Sequence, residues 1–244
     1  MSATMRLAII GDGKMGRAIA ALAAERGDTV TALVGLAENR GGAGITRERL
    51  GDPEVAVEFT EPDAAVANAL ACLRVGVPVV VGTTGWYDSL ERVTRAAAEA
   101  RGALFWSPNF SLGIAVLTAA IEAAARAVRA LEGFDAQLIE THHAAKKDRP
   151  SGTAAALAGR MEAMLGRPVP VTSVRTGHVP GTHEIVFDGM FEQVRLVHEA
   201  RDRRVFAAGA LSAAAWLRGR AGVFTMRDVV QAVGAGATTE ETDR

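Results

Sequence analysis

The sequence holds one cysteine, one tyrosine and five histidines in 244 residues, and aromatic side chains make up only 5% of it. A single thiol, Cys72, excludes an internal disulfide and a cysteine-based zinc cluster, and it fits a reducing compartment. It lies in AVANALACLRVG, a helical stretch, and reads as a buried, inert thiol. An excess of one charge is missing too, because 27 Lys+Arg offset 28 Asp+Glu for a formal net charge of −1. That balance leaves no electrostatic footprint for nucleic acid or an anionic membrane, so any anion binding must be local. No apolar run approaches the roughly 20 residues of a membrane span. The start, MSATMRLAIIGDG, lacks the long apolar stretch that follows a basic opening in a signal peptide. The expectation is a soluble intracellular protein with neither a nucleic-acid nor a membrane partner.

What the chain does have is apolar residue, 49% of the total, enough for a substantial core. The first half alternates short apolar runs with alanine-rich helical stretches. RLAIIG (6–11), TVTALVG (29–35), VAVEFT (55–60), VPVVVG (77–82) and ALFWS (103–107) read as strands. Continuous apolar strands between helices predict a parallel sheet covered on both faces, a doubly wound α/β domain of the Rossmann type. After SPNFSLGIAVL the rhythm changes. A long helix over about 111–131 leads to a strand DAQLIETH, a helix over about 152–164 and strand-like runs near 169–175, 183–188 and 193–200. This pattern predicts an α+β domain with one partly exposed sheet face. The tail, FAAGALSAAAWLRGRAGVFTMRDVV, returns to helical spacing and is expected to pack on the first domain. The domains are therefore placed at 1–110 with 204–244, and at 111–203.

AIIGDGKMGRAIA carries Gly11, Gly13 and Gly16 in G-x-G-x-x-G spacing between a strand and a helix. Glycines there permit the tight turn, let backbone approach a pyrophosphate, and bring the helix close to the sheet. Glu38, just past the second strand, stands where an acidic group would take the ribose hydroxyls. Glu38 favours NAD by repelling a 2′-phosphate, whereas the nearby Arg40 suits NADP, and the choice stays open. Thr83 and Thr84 in VVVGTTGW and Asn109 in SPNFS follow apolar strands, at the end of the sheet where ligands sit.

All five histidines fall between 142 and 198, so the dinucleotide half has none. The densest chemistry is IETHHAAKKDRPSGTAAALAG (139–159). Adjacent side chains of an extended strand point to opposite faces, so His142 and His143 have different tasks. A histidine near its ordinary pKa can donate a proton at neutral pH. Lys146 follows, with Asp148 placed to orient or balance it, and Ser151 is a good N-cap for the helix opening at Gly152-Thr153. Free amides in that first turn suit a carboxylate. A metal site on His142 and His143 has no third ligand at a persuasive spacing. His183 in GTHEIVF and His198 in VRLVHEA read equally well as strand residues, and no metal is expected.

ETHHAAKKDRPSGTA (140–154) resembles the signature of the 4-hydroxy-tetrahydrodipicolinate reductase (dihydrodipicolinate reductase) family. GDGKMGR, VEFTEP, VGTTGW, SPNFSLG, GTHEIVF and AAAWLRGRAGVFTMRDV fall in that family's order along essentially the whole chain. The resemblance implies an NADH- or NADPH-dependent reductase of lysine biosynthesis by the diaminopimelate route, cytoplasmic and homotetrameric through the second domain's sheet. It implies His142 as proton donor and Lys146 as the cation that stabilises developing charge. His143, Ser151, Gly152 and Thr153 would bind the dicarboxylate. Gly11, Gly13, Lys14, Met15, Gly16, Glu38, Gly82, Thr83, Thr84, Asn109 and Phe110 would line the cofactor site. The chain departs from the family at Arg149, usually Ala, and in a glycine loop one residue shorter with Lys14 in place of an arginine. The segment before GTHEIVF is also short. The alternatives are an amino-acid dehydrogenase of similar build, such as one acting on aspartate, and a non-catalytic dinucleotide sensor.

Overall fold

The computed structural model describes residues 4–131 and 133–239, with 235–239 by backbone alone. Residues 1–3 and 240–244, which the sequence assigns to the first domain, and residue 132, assigned to the second, lie outside the described residues. The chain divides into two compact units, Met1–Phe110 with Phe206–Arg244, and Ser111–Val205.

In the first unit, β1 (Arg6–Ile10), α1 (Lys14–Glu25), β2 (Thr29–Val34), β3 (Val55–Glu58), α2 (Pro62–Arg74), β4 (Val79–Val81), α3 (Leu90–Glu99) and β5 (Ala103–Trp106) alternate along the chain. After the second unit's elements comes the rest of the sheet. Its order is β10-β5-β4-β3-β1-β2, where β10 is Gly222–Phe224, and every pairing is parallel. The three central strands β1, β3 and β4 are apolar throughout apart from Arg6 and Glu58, because helices cover both faces. The chain turns one way from β1 to β2 and the other way to β3, so a crevice opens beyond the carboxyl ends of β1 and β3.

The tail is not helical throughout. β10 intervenes between α6 (Arg204–Leu217) and α7 (Met226–Thr239) and adds a sixth strand beside β5. Three residues are too few to display a period, which is why the spacing reads as helix.

The second unit carries α4 (Leu112–Arg129), β6 (Phe134–His142), α5 (Gly152–Leu165), β7 (Val171–Arg175), β8 (Thr182–Gly189) and β9 (Gln193–Glu199). Its sheet runs β7-β6-β8-β9, with β6 parallel to β7 and antiparallel to β8. Strand β6 alternates strictly, burying Ala136, Leu138, Glu140 and His142. Leu138, Ile185 and Phe187 form a core with Ile121 of α4 and Leu157 and Met161 of α5. The same face that supplies this core therefore ends in a carboxylate and an imidazole.

Truncating Leu138, which is fully buried, removes contacts that the neighbouring helices only partly refill. Leu138→Ala is expected to cost about 2–5 kcal/mol, read as an earlier midpoint in urea unfolding.

Candidate active site

In the first unit the loop after β1 is built on close approach. A Cβ on Gly16 would lie 1.8 Å from the Gly11 carbonyl oxygen, and one on Gly11, at φ +108°, would lie 2.0 Å from the Phe59 carbonyl oxygen. Only glycine lets α1 press against this turn. Around Gly13 an added Cβ would meet nothing, so its backbone faces open space. Gly13 also N-caps α1 without any side-chain acceptor, which leaves the first-turn amides available to an anion. Such a bare, uncapped helix start fits a dinucleotide pyrophosphate. Lys14 is exposed there and Met15 half-buried.

Glu38 and Arg40 are both exposed in a pair of short 3-10 turns after β2. Beneath them Asn39 is buried and donates to the Asn68 side chain at 2.8 Å, while the Gly44 amide donates to Asn39 at 3.1 Å. The Asn68 amide in turn donates to Glu58 Oε1 at 3.2 Å, and the Thr60 hydroxyl donates to the same oxygen. The Thr60 amide donates to Thr83 Oγ1 at 2.7 Å. One buried polar chain thus joins the Glu38 loop to the Thr83 loop. Burial pushes the Glu58 carboxyl up, against hydrogen bonds from Thr60, Thr83 and Asn68. Gly82 is half-buried and Thr84 exposed at the β4 end, and Asn109 is half-buried after β5. Phe110 differs from a ligand-lining side chain, since it is 2% exposed and packs on Phe59 and Phe105 at ring-centroid distances of 5.6 and 5.9 Å. Its ring serves the core.

In the second unit β6 delivers His142 as its last residue, buried, while His143 is half-exposed beyond the strand end. The His142 Nδ1 is hydrogen-bonded to Glu140 Oε2. Parallel pairing sets Arg175 opposite His142, and its Nη2 donates to Glu140 Oε1 at 2.6 Å and to the Asp148 carbonyl at 2.6 Å. The Ser151 amide donates to Glu140 Oε1 at 3.4 Å, and the Ser151 hydroxyl caps α5 by accepting from the Ala154 amide at 3.1 Å. Gly152 is exposed and Thr153 half-buried in that first turn. Lys146 sits 2.8 Å from Asp148 Oδ1. Antiparallel pairing sets His183 opposite Glu140 and His198 opposite His183, with His198 Nε2 3.2 Å from the Ser111 hydroxyl that caps α4.

The electrostatics follow from this packing. Burial would push the Glu140 carboxyl up, but hydrogen bonds from Arg175, Ser173 and His142, with the His142 charge, hold it at about 2. Burial lowers His142. Glu140 opposes that shift, and the Lys146 and Arg175 charges add to it. Burial, with the charges of His142 and His198, pushes His183 down to about 4. Glu140, His142 and His183 bring one donor atom each within 4.8 Å of one another. The Arg175 guanidinium already bound to Glu140 places a fixed positive charge beside them, which disfavours a divalent cation and favours proton handling.

The structure thus gathers His142, His143, Lys146, Ser151, Gly152 and Thr153 at one end of the second unit. It sets the glycine loop, Glu38, Gly82, Thr83, Thr84 and Asn109 at the strand ends of the first. Reading the sequence for motifs missed Glu140, Arg175 and Glu58. The parity of β6 carries a signal for the first: Glu140 shares the face of Leu138 and His142, so a carboxylate had to lie buried beside the histidine.

Residues 5–110 match the family described as "Dihydrodipicolinate reductase, N-terminus", and residues 113–230 match "Dihydrodipicolinate reductase, C-terminus". The 4-hydroxy-tetrahydrodipicolinate reductase of Stenotrophomonas maltophilia (strain K279a) is 41% identical over 239 residues, covering 93% of this chain and 98% of that protein. Among solved structures, the dipicolinate-bound dihydrodipicolinate reductase from Paenisporosarcina sp. TG-14 shares the fold with a TM-score of 0.78 at 22% identity, over 93% of this chain and 99% of that one. The aspartate dehydrogenase from Thermotoga maritima shares it more loosely, with a TM-score of 0.50 at 14% identity, over 86% and 94% of the two chains.

Two outcomes test the site's construction. Gly16→Ala forces the loop off α1 and is expected to weaken NADH binding by roughly tenfold or more, the factor that 1.4 kcal/mol represents, measured by fluorescence titration. His183, held near 4 against an ordinary 6.5, takes up protons more readily unfolded than folded. Its contribution to stability is therefore complete above pH 6.5 and is lost as pH falls from 6.5 towards 4. Urea unfolding at pH 7 and pH 5 is expected to show a smaller loss in His183→Gln than in the wild type.

Proposed function

The chain belongs to the dihydrodipicolinate reductase family, and from that membership we propose that it reduces 4-hydroxy-tetrahydrodipicolinate, by way of dihydrodipicolinate, to tetrahydrodipicolinate. The reaction would use NADH or NADPH and serve lysine biosynthesis by the diaminopimelate route. The observation that carries the proposal is the His142 imidazole, tied to a buried carboxylate beside Lys146 and the amide-rich start of α5. An acid, a cation and an anion-binding helix start suit a dicarboxylate that gains a proton. NADH or NADPH, when bound, supplies the hydride that adds to ring C4. The substrate loses its hydroxyl as water, and one proton from His142 completes the balance.

The chain's own residues divide this work. Gly11, Gly13 and Gly16 bring backbone to the pyrophosphate, with Lys14 and Met15 in the first turn of α1. Glu38 would meet the ribose hydroxyls and Arg40 a 2′-phosphate, which supports use of both cofactors. Gly82, Thr83, Thr84, Asn109 and the Phe110 backbone would line the nicotinamide side. His143, Ser151, Gly152 and Thr153 would hold the carboxylates, and Lys146 would stabilise developing charge. A bound dicarboxylate also brings negative charge to His142, offsetting the burial that lowers its pKa.

The unit with the glycine loop is thereby the cofactor domain, and the other is the substrate and assembly domain. We assign the protein to the cytoplasm as a homotetramer without nucleic-acid partners, and no helix among the described residues is long and apolar enough to cross a membrane. Exposed Met190, Phe191, Val194 and Val197 around β8 and β9 support assembly through this sheet, because apolar groups clustered on a surface favour burial.

Absorbance at 340 nm with enzymatically generated substrate tests the activity. Oxidation of NADH, NADPH or both is expected, and oxidation of neither overturns the proposal. His142→Gln is expected to lower kcat by roughly 10²–10⁴, the usual contribution of a general acid, with cofactor affinity unchanged.

A further inference from the structure

We propose that Arg175 and Glu140 are positioning residues that fix which nitrogen of His142 does the chemistry, with Glu140 holding Nδ1–H so that Nε2 is the working atom. This rests on the reading of His142 as the acid. The geometry has three independent parts. Glu140 is fully buried and meets His142 Nδ1 through Oε2, while Arg175, with a side chain only 2% exposed, meets Oε1 at 2.6 Å. A carboxylate kept ionised by a buried guanidinium can only accept, so the proton between Glu140 and His142 must come from Nδ1. The other nitrogen faces a glycine: a Cβ on Gly181 would stand 3.0 Å from His142 Nε2 and 3.3 Å from Cδ2. No side chain crowds Nε2 from that direction.

Arg175 does more than hold a charge. The same Nη2 donates to the carbonyl of Asp148, whose carboxylate pairs with Lys146. Glu140 Oε1 accepts from the Ser151 amide at the α5 start. One buried pair therefore sets the register of the acid, the lysine loop and the anion-binding helix. The groups that act on the His142 charge are Glu140 from its own strand, Arg175 from β7, His183 from β8 and Lys146 from the following loop. Of these only Glu140 favours the imidazolium.

Replacing Glu140 by Gln keeps the volume and inverts the logic. Arg175 retains the Gln carbonyl, so the Gln amide turns its N–H groups towards Nδ1. Neutral His142 must then carry its proton on Nε2.

The first test needs no variant. Long-range ¹H–¹⁵N correlation spectra of the wild-type protein above the His142 pKa are expected to show the Nδ1–H tautomer, and the Nε2–H tautomer overturns the proposal. The second compares wild type, Glu140→Gln and Arg175→Lys, each first shown folded by circular dichroism, in kcat against pH. A general acid loses activity as pH rises through its pKa, so Glu140→Gln is expected to move that falling limb to lower pH. It should also reduce kcat by roughly tenfold to a thousandfold, the range of a misplaced acid, with NADH affinity intact. Arg175→Lys, which keeps the charge but loses the second contact, is expected to fall between the two. A uniform loss of kcat with an unmoved limb in Glu140→Gln means support of the fold alone, and overturns the proposal. A wild-type enzyme that does not reduce the substrate defeats the activity reading instead, and the tautomer measurement still decides the positioning of His142.

Discussion

A carboxylate with no solvent exposure has to be either neutral or matched, and Glu140 is matched. Its partner Arg175 reaches it from the neighbouring strand, and around that pair three separate pieces of chain are drawn together: the end of β6, the loop through Asp148 and the first turn of α5. Buried ion pairs of this kind add little to net stability compared with apolar packing, but removing one partner strands the other charge at a cost of about 3–5 kcal/mol. Their value lies in specifying a single arrangement. Here the arrangement specified is the orientation of an imidazole.

Glu58 makes an instructive contrast. It too is fully buried at the carboxyl end of a strand, yet its pKa moves up while that of Glu140 moves down. Glu140 has a guanidinium, whereas the hydrogen bonds to Glu58 come from the neutral groups Thr60, Thr83 and Asn68. The same residue type, equally buried, is thus shifted in opposite directions according to its partners. Around Glu58 the result is a hydrogen-bonded network that links the Glu38 and Thr83 loops, and around Glu140 it is an anion held against the His142 imidazole.

Much of this was legible in the sequence. The five apolar runs of the first half gave away a parallel sheet because strands covered on both faces have no polar alternation to obscure them. G-x-G-x-x-G between strand and helix located the turn that only glycine can make, and the His-His-Lys-Ser-Gly-Thr run located the polar cluster of the second unit. Strand β10 escaped because three residues carry no period. The parity of β6 could have revealed the burial of Glu140, but its pairing with Arg175 escaped for a different reason. They are 35 positions apart in sequence and meet only through the β6–β7 register, which no local pattern encodes. The family resemblance implied that Phe110 lines the cofactor site, but its ring is flanked by Phe59 and Phe105 in the core.

The placement of β6 between β7 and β8 has a consequence for when the Glu140 and His142 cluster can form. Glu140 finds its counter-charge only once β7 is docked in parallel, and a parallel neighbour requires the intervening helix α5 to have folded and crossed over. His183 joins the group only when β8 has paired on the other side. A nascent or partly unfolded chain therefore holds the histidine, the lysine and the glutamate as ordinary solvated side chains with ordinary protonation. The environment of His142 is therefore assembled from contacts distant in sequence, and it is lost when the small sheet opens.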